Sequence, residues 1–238
     1  MLASGHVLIE DVPGVGKTQL VSALAKSCQG EFGRIQMTPD VMPTDITGFT
    51  MYNKETQKFE YRQGLVLTNL LLADEINRTS PKTQSSLLEA MEEGQTTVGG
   101  KKYKLPEPFM VIATQNPSEF IGTYKLPEAQ TDRFMMKLTV GYPDESEEMR
   151  MAENMLNGKT TDNIESIMIA EDVIEMKKKV SAVKIKEEVI RYARNIADMT
   201  RNESRFVMGI SPRAVILLIK ASQAKAFLSG RDYVKPDD

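Results

Sequence analysis

The chain of 238 residues carries 30 Lys and Arg against 33 Asp and Glu, a formal net charge of −3, with a single cysteine. That length allows one or two domains and buries roughly 70–75% of the unfolded surface, so no disulfide or metal staple is required. Lone Cys28 excludes an intrachain bridge and fits a reducing compartment, and the interspersed charges exclude a global nucleic-acid footprint. The longest apolar runs, such as Val215 to Ile219, are far too short to span a membrane, and residues 1–6 hold no secretory signal. The expectation is a soluble, cytoplasmic protein with no membrane contact.

In chain order, Val7 to Ile9 reads as a short buried strand. A glycine turn follows, and Lys17-Thr18 opens a helix with apolar Leu20, Val21, Leu24 and Cys28 on its inner face. Phe32 to Met37 reads as a second strand. Phe49 to Tyr52 and Lys58 to Arg62 flank a polar turn and read as an inserted hairpin. Leu70 to Ala73 is a continuous apolar strand ending in Asp74-Glu75. Ser80-Pro81 caps and starts a helix that buries Leu87, Leu88 and Met91 and stops at Gly94. Thr96 to Val98 and Lys101 to Leu105, joined by Gly99-Gly100, form a second hairpin. Phe109 to Thr114 is the next strand, Pro127 to Arg133 a short helix and Met135 to Val140 a further strand.

Strands alternating with helices imply a parallel sheet covered on both faces, an α/β domain over residues 1–143. From residue 144 the pattern is helical only. Asp144 and Glu147 have capping-box spacing, and further helical patterns cover 171–180, 186–200 and 212–229. Residues 144–238 therefore read as a smaller helical domain.

The chemistry concentrates where strand, glycine loop and helix meet. The stretch Asp11 to Thr18 follows the phosphate-loop pattern G-x-x-x-x-G-K-[ST], with Asp11 in place of the first glycine. Val12, Pro13, Gly14, Val15, Gly16, Lys17, Thr18 and Gln19, together with Arg213 of the helical region, are assigned to nucleotide binding. Backbone N–H groups cradle phosphate, Lys17 reaches the outer phosphates, and the Thr18 hydroxyl sits on Mg2+. Asp74 and Glu75 end a buried strand on the side where open α/β sheets bind ligands. Asp74 would hold Mg2+ and Glu75 would activate the attacking water. Asn116, ending the next strand, is either a water-orienting amide or part of an Asn-Pro turn. Arg213 lies in the first turn of a helix begun by Ser211-Pro212, where the helix dipole disfavours a cation unless an anion binds nearby. Arg133 either pairs within the chain, with Asp132 or a nearby carboxylate, or reaches a neighbouring subunit's nucleotide. Arg78 is a weaker candidate for the same intersubunit role.

Other features take plain readings. His6 precedes a strand, Lys177 to Lys179 is a solvated helix face, and the 15 methionines fill core gaps. Asn53-Lys54-Glu55-Thr56 lacks the aspartate of a guanine-reading box.

Together the motifs resemble those of the AAA+ ATPases, and more narrowly the MoxR family, over nearly the whole chain. Glu10 to Thr18 resembles its P-loop, Leu72 to Arg78 its Walker B segment and Ala113 to Pro117 its sensor 1. Leu126 to Phe134 resembles its arginine-finger segment and Ser211 to Ala214 its sensor 2. The resemblance implies a five-stranded parallel sheet with flanking helices, a helical lid, and ATP or ADP with Mg2+ between them. It also implies active sites at the subunit interfaces of a ring, usually hexameric. The two hairpins would face the ring's pore. Family members act as chaperone-like remodelling ATPases on protein clients, typically with a von Willebrand factor A-domain partner. Against the family pattern, this chain starts just before the first core strand and its lid stops at Asp238, as a shortened chain would.

The leading expectation is thus an ATP-hydrolysing remodeller with Lys17, Asp74, Glu75, Asn116, Arg133 and Arg213 in its catalytic set. One alternative is a nucleotide-dependent scaffold with incidental turnover. Another is a nucleic-acid motor, since Lys101-Lys102-Tyr103-Lys104 sets three lysines around an aromatic. Lysines that merely keep an exposed hairpin soluble account for the same pattern.

Overall fold

The computed structural model describes residues 1–11, 14–116, 123–124, 126–158 and 164–238. Its centre is a five-stranded sheet built from β1 (Val7–Glu10), β2 (Phe32–Gln36), β5 (Leu70–Asp74), β8 (Met110–Gln115) and β9 (Met136–Leu138). The spatial order is β2-β5-β8-β1-β9, and every pairing is parallel. Parallel strands need crossovers, which place helices on the sheet faces and leave the inner strands apolar on both sides. β5 and β8 meet this demand with Leu-Leu-Leu-Ala and Met-Val-Ile-Ala.

Strand periodicity divides these side chains between the two faces. Leu71, Ala73, Val111 and Ala113 pack with Leu87, Leu88 and Met91 of α3 (Pro81–Glu93). Leu70, Leu72, Met110 and Ile112 pack with Val21 and Ala25 of α1 (Lys17–Ser27). Leu20, expected inside, is 56% exposed; Ala25 takes the inward place because α1 touches the sheet along a narrow stripe. Ser80 caps α3 by accepting from the Thr83 N–H at 3.3 Å, and Gly94 ends it in the left-handed region.

Two hairpins project from this core. β3 (Gly48–Asn53) and β4 (Lys58–Gln63) pair antiparallel, as do β6 (Gln95–Val98) and β7 (Lys101–Lys104). The rings of Tyr61 and Tyr103 stack with centroids 3.8 Å apart and planes 18° from parallel, joining the hairpins. A short helix, α2 (Pro43–Thr47), leads into β3 where the turn formers had suggested only loop. Asp45 explains it, since its carboxylate accepts from the Met42 N–H at 2.8 Å and closes the first turn behind Pro43.

His6, read as a residue merely preceding a strand, is buried. Its Nδ1 accepts from the Val111 N–H at 2.9 Å, which makes the ring neutral and leaves Nε2 to donate to Met91 O at 3.1 Å. Burial pushes its pKa down to about 4.

After α4 (Glu128–Thr131) and β9, the described residues form helices: α5 (Glu145–Leu156), α6 (Ala170–Ser181), α7 (Glu187–Asn202) and α8 (Pro212–Leu228). The capping box is present, with the Glu147 N–H donating to Asp144 at 2.8 Å and the Asp144 N–H to Glu147 at 3.4 Å. α6 and α7 pack on α8, and a small core of Val183, Ala226 and Val234 closes the lid. Ser211, the cap of α8, also donates to Asp132 at 2.8 Å, and the Ile167 N–H donates to Ser27 O at 3.0 Å. These contacts tie the lid to the sheet. No helix among the described residues is long and apolar enough to cross a membrane.

Candidate functional site

β1 runs directly into the phosphate loop. Gly14 and Gly16 have φ of 88° and 82°, and a Cβ added at either would meet nothing within 4 Å. Glycine is needed there for the left-handed backbone, while the space above the loop is open. α3, α5 and α8 have side-chain caps in Ser80, Asp144 and Ser211; α1 has none, and no acidic residue in its first turn. A helix start left uncapped, with its N–H groups and positive dipole end facing an open cavity, fits a phosphate. Lys17 Nζ donates to Asp11 O at 3.1 Å. Val12 and Pro13 lie outside the described residues.

Asp11 is only 5% exposed. Its backbone N–H donates to Gln115 O at 3.2 Å, and its Oδ2 accepts from the N–H groups of Val140 and Gly141 at 2.6 and 2.7 Å. The side chain at the position of the missing glycine thus reaches the connection between β9 and α5.

Asp74 and Glu75 occupy the carboxyl end of β5. Asp74 is buried; its Oδ1 accepts from the Thr114 hydroxyl at 3.1 Å and its Oδ2 from Arg34 Nε at 2.9 Å. The backbone N–H of Glu75 donates to Thr114 Oγ1 at 2.9 Å. Glu75 itself sits at φ 57°, ψ 51°, a left-handed conformation that costs a non-glycine residue about 1 kcal/mol or more. Its carboxylate accepts from Gln36 Nε2 at 2.6 Å and from Arg78 at 3.0 Å.

A cavity of about 380 Å3 joins these groups. It is lined by Gly14, Gly16, Lys17, Thr18 and Gln19 on the loop side, and by Arg34, Gln36, Asp74, Glu75 and Asn116 across from them. Asn116 is buried at the end of β8. A second hollow of about 400 Å3 shares Gly14 and adds Val15, Val140, Tyr142, Pro143 and Met151. The first sets Lys17 and the helix start opposite Asp74 and Glu75, whereas the second combines the side chains of Val15, Tyr142, Pro143 and Met151 with the carboxylates of Glu147 and Glu148. Thr18 and Asp74 face one cavity with a hydroxyl and a carboxylate. Two oxygens of this kind, completed by phosphate oxygens and water, suit Mg2+. Among the described residues no group of three or more His, Cys, Asp or Glu forms an all-protein metal cage.

Arg133 and Arg213 stand elsewhere. Neither is among the residues lining the phosphate cavity. Both pair with Glu92 in the last turn of α3, Arg133 at 3.3 Å and Arg213 more closely. Of the two readings open for Arg133, the pair with a nearby carboxylate is present in the single chain. Arg78 pairs with Glu75 at the cavity's edge.

Arg34, Gln36, Thr114 and Glu92 are the site residues that sequence reasoning missed. For the first two a signal existed: β2 alternates Arg34 and Gln36 on one side of an otherwise apolar strand. Its register sets Gln36 directly opposite Asp74.

Comparison with known proteins shows similarity over both the sheet and the helical parts of the chain. Residues 6–136 match the model of the ATPase family associated with various cellular activities (AAA), and residues 198–238 match that of the AAA lid domain. The chain is 52% identical to Bacillus subtilis YeaC, over all of this chain and 74% of that protein. It is 41% identical to the Mycobacterium tuberculosis chaperone MoxR1, over all of this chain and 65% of that protein. The crystal structure of a Cytophaga hutchinsonii protein superposes with a TM-score of 0.90 at 41% identity, covering 99% of this chain and 74% of that one.

Proposed function

The chain belongs to the MoxR family of AAA+ ATPases, and from that premise we propose that it hydrolyses ATP in a ring, a hexamer, to remodel protein clients. The observation that carries the reading is the single cavity where the uncapped start of α1 faces Asp74 and Glu75. In this reading residues 1–143 form the nucleotide-binding core and residues 144–238 the lid. The protein works in the cytoplasm, with a von Willebrand factor A-domain protein as partner.

Lys17 and the N–H groups at the start of α1 bind the phosphates, and the hollow beside Tyr142 and Pro143 takes the base. Thr18 and Asp74 would hold Mg2+, which when bound would offset phosphate charge. Glu75 accepts a proton from water as its oxygen bonds to the γ-phosphorus; the bond to the bridging oxygen breaks, and ADP and phosphate leave. Asn116 orients that water. Arg133 and Arg213, placed off their own cavity, serve the nucleotide of the adjacent copy. Self-assembly also suits α5, which buries no residue in the single chain and leaves Met149, Met151, Met155 and Leu156 exposed.

Protein clients are favoured over nucleic acid because Tyr103 is already stacked on Tyr61, so the lysine hairpin lacks a free ring for a base. Nucleotide binding and single-turnover hydrolysis by wild type, Lys17→Ala and Glu75→Gln test the proposal. Lys17→Ala should lose binding. Glu75→Gln should bind ATP and cleave it about 100-fold or more slowly. A wild type that binds but does not cleave, even when assembled, would leave the scaffold reading instead.

A further inference from the structure

We propose that Asp11 is a positioning residue that couples the phosphate loop to the hinge between sheet and lid. Its two polar ends face different parts of the molecule. The backbone carbonyl accepts from Lys17 Nζ at 3.1 Å, and the carboxylate accepts from Val140 and Gly141 at 2.6 and 2.7 Å. The inference rests on the nucleotide reading of the loop given above.

The general phosphate-loop pattern has glycine here, with no side chain to reach anything. The hinge is shaped to receive one. Gly141 has φ 77°, and two consecutive N–H groups converge on a single oxygen, the arrangement by which backbone binds anions. The anion is the chain's own. The two donors replace the water that a buried carboxylate would otherwise lose, so Asp11 can be held in place there. The hinge is otherwise thinly held, since Val140 and Tyr142 are 52% and 79% exposed at the rim of the second hollow.

Phosphate competes for Lys17. When the lysine leaves the Asp11 carbonyl for the nucleotide, the Asp11 peptide is released at one end while its side chain remains fixed to the hinge. The resulting shift is delivered to Val140 and Gly141, and through them to α5. A residue that only braces the β9–α5 connection would hold these amides equally with and without nucleotide.

The test uses the full chain carrying dyes on Glu31→Cys in the sheet domain and Glu188→Cys in the lid. Both sites are exposed, whereas Cys28 is buried. A non-hydrolysable ATP analogue with Mg2+ is the probe, and hydrogen exchange at Val140 and Gly141 is followed in parallel. In wild type, the analogue should change both the dye distance and the exchange of the two amides. Asp11→Gly should exchange them about tenfold faster without nucleotide, and bind the analogue with less than half the wild-type distance change. Asp11→Asn keeps an acceptor oxygen and should fall between; it carries the test if Asp11→Gly does not fold. Variants that bind the analogue and respond as wild type does overturn the proposal. So does a wild type that binds without a distance change, and that result leaves the ATP-binding reading intact. A wild type that fails to bind overturns both.

Discussion

Arg133 and Arg213 meet on one carboxylate, that of Glu92 at the end of α3. One comes from the segment before β9 and the other from the first turn of the last lid helix, so the lid must be docked for the pair to form. Glu89 and Glu93 line the same hollow as Glu92 and Arg133, so in the proposed ring a phosphate of the adjacent copy would have to draw both guanidinium groups away from these carboxylates.

The expected consequence is separable in mixed rings. Arg133→Ala should bind ATP as wild type does and hydrolyse it about 10³-fold or more slowly. Arg213→Ala should show the same split. Mixing either variant with Lys17→Ala subunits should restore part of the activity. An absence of restoration in demonstrably mixed rings would mean that each arginine serves its own subunit.

Gln36 donates to the Glu75 carboxylate at 2.6 Å. The carboxylate oxygen engaged by this amide is not open to a proton from water, so the contact restrains the group proposed to activate water. Gln36→Ala should raise single-turnover hydrolysis about fivefold, the equivalent of roughly 1 kcal/mol for one hydrogen bond. Nucleotide affinity should not change. A slower reaction would show that Gln36 aims Glu75 rather than holding it back.

His6 makes stability depend on pH. Its folded pKa is lowered to about 4 by burial, against an ordinary value of 6.5. The unfolded chain therefore binds the proton more readily. The contribution is fully present above pH 6.5 and is lost as pH falls towards 4, amounting to about 3 kcal/mol. Denaturant midpoints measured from pH 7.5 to 4.5 should fall in wild type and change less in His6→Gln. Parallel curves would remove His6 as the cause.

Two glycines should respond differently to alanine. At Gly64 a Cβ would lie 2.2 Å from Gly48 N and 2.3 Å from Ile46 O, both backbone atoms that cannot step aside. Gly64→Ala should cost about 2–4 kcal/mol of stability. At Gly14 the space is open and the penalty is conformational, about 1–2 kcal/mol. Gly14→Ala should therefore fold and show its defect in nucleotide affinity. Thermal melting and titration with a fluorescent nucleotide separate the two.

The most readable parts of the sequence were those whose residues answer to one local demand. β5 and β8 are buried on both faces, so their apolar runs stand out, and α3 announces itself by Ser80-Pro81 and Gly94. The phosphate loop and Asp74-Glu75 were legible because each needs a fixed residue type at the end of a strand. Arg34 and Gln36 stand out only as alternating polar residues of β2; that they face Asp74 and Glu75 depends on β2 lying beside β5, which only the sheet order supplies. Leu20 fits a helical stripe, yet the sheet reaches only as far as Val21 and Ala25. The convergence on Glu92 depends on how the lid docks, a relation between distant segments that no local pattern encodes.

The Tyr61–Tyr103 stack has a mechanical side. α3 starts just after the Glu75 turn and passes into β6, whose hairpin the stack fastens to the other. The 13 residues of that helix form a lever arm about 20 Å long, so a tilt of about 5° at the nucleotide end moves the far end by roughly 2 Å. Because Tyr61 and Tyr103 join the hairpins ring to ring, any such stroke would be passed from β6 and β7 to β3 and β4, moving both projections together.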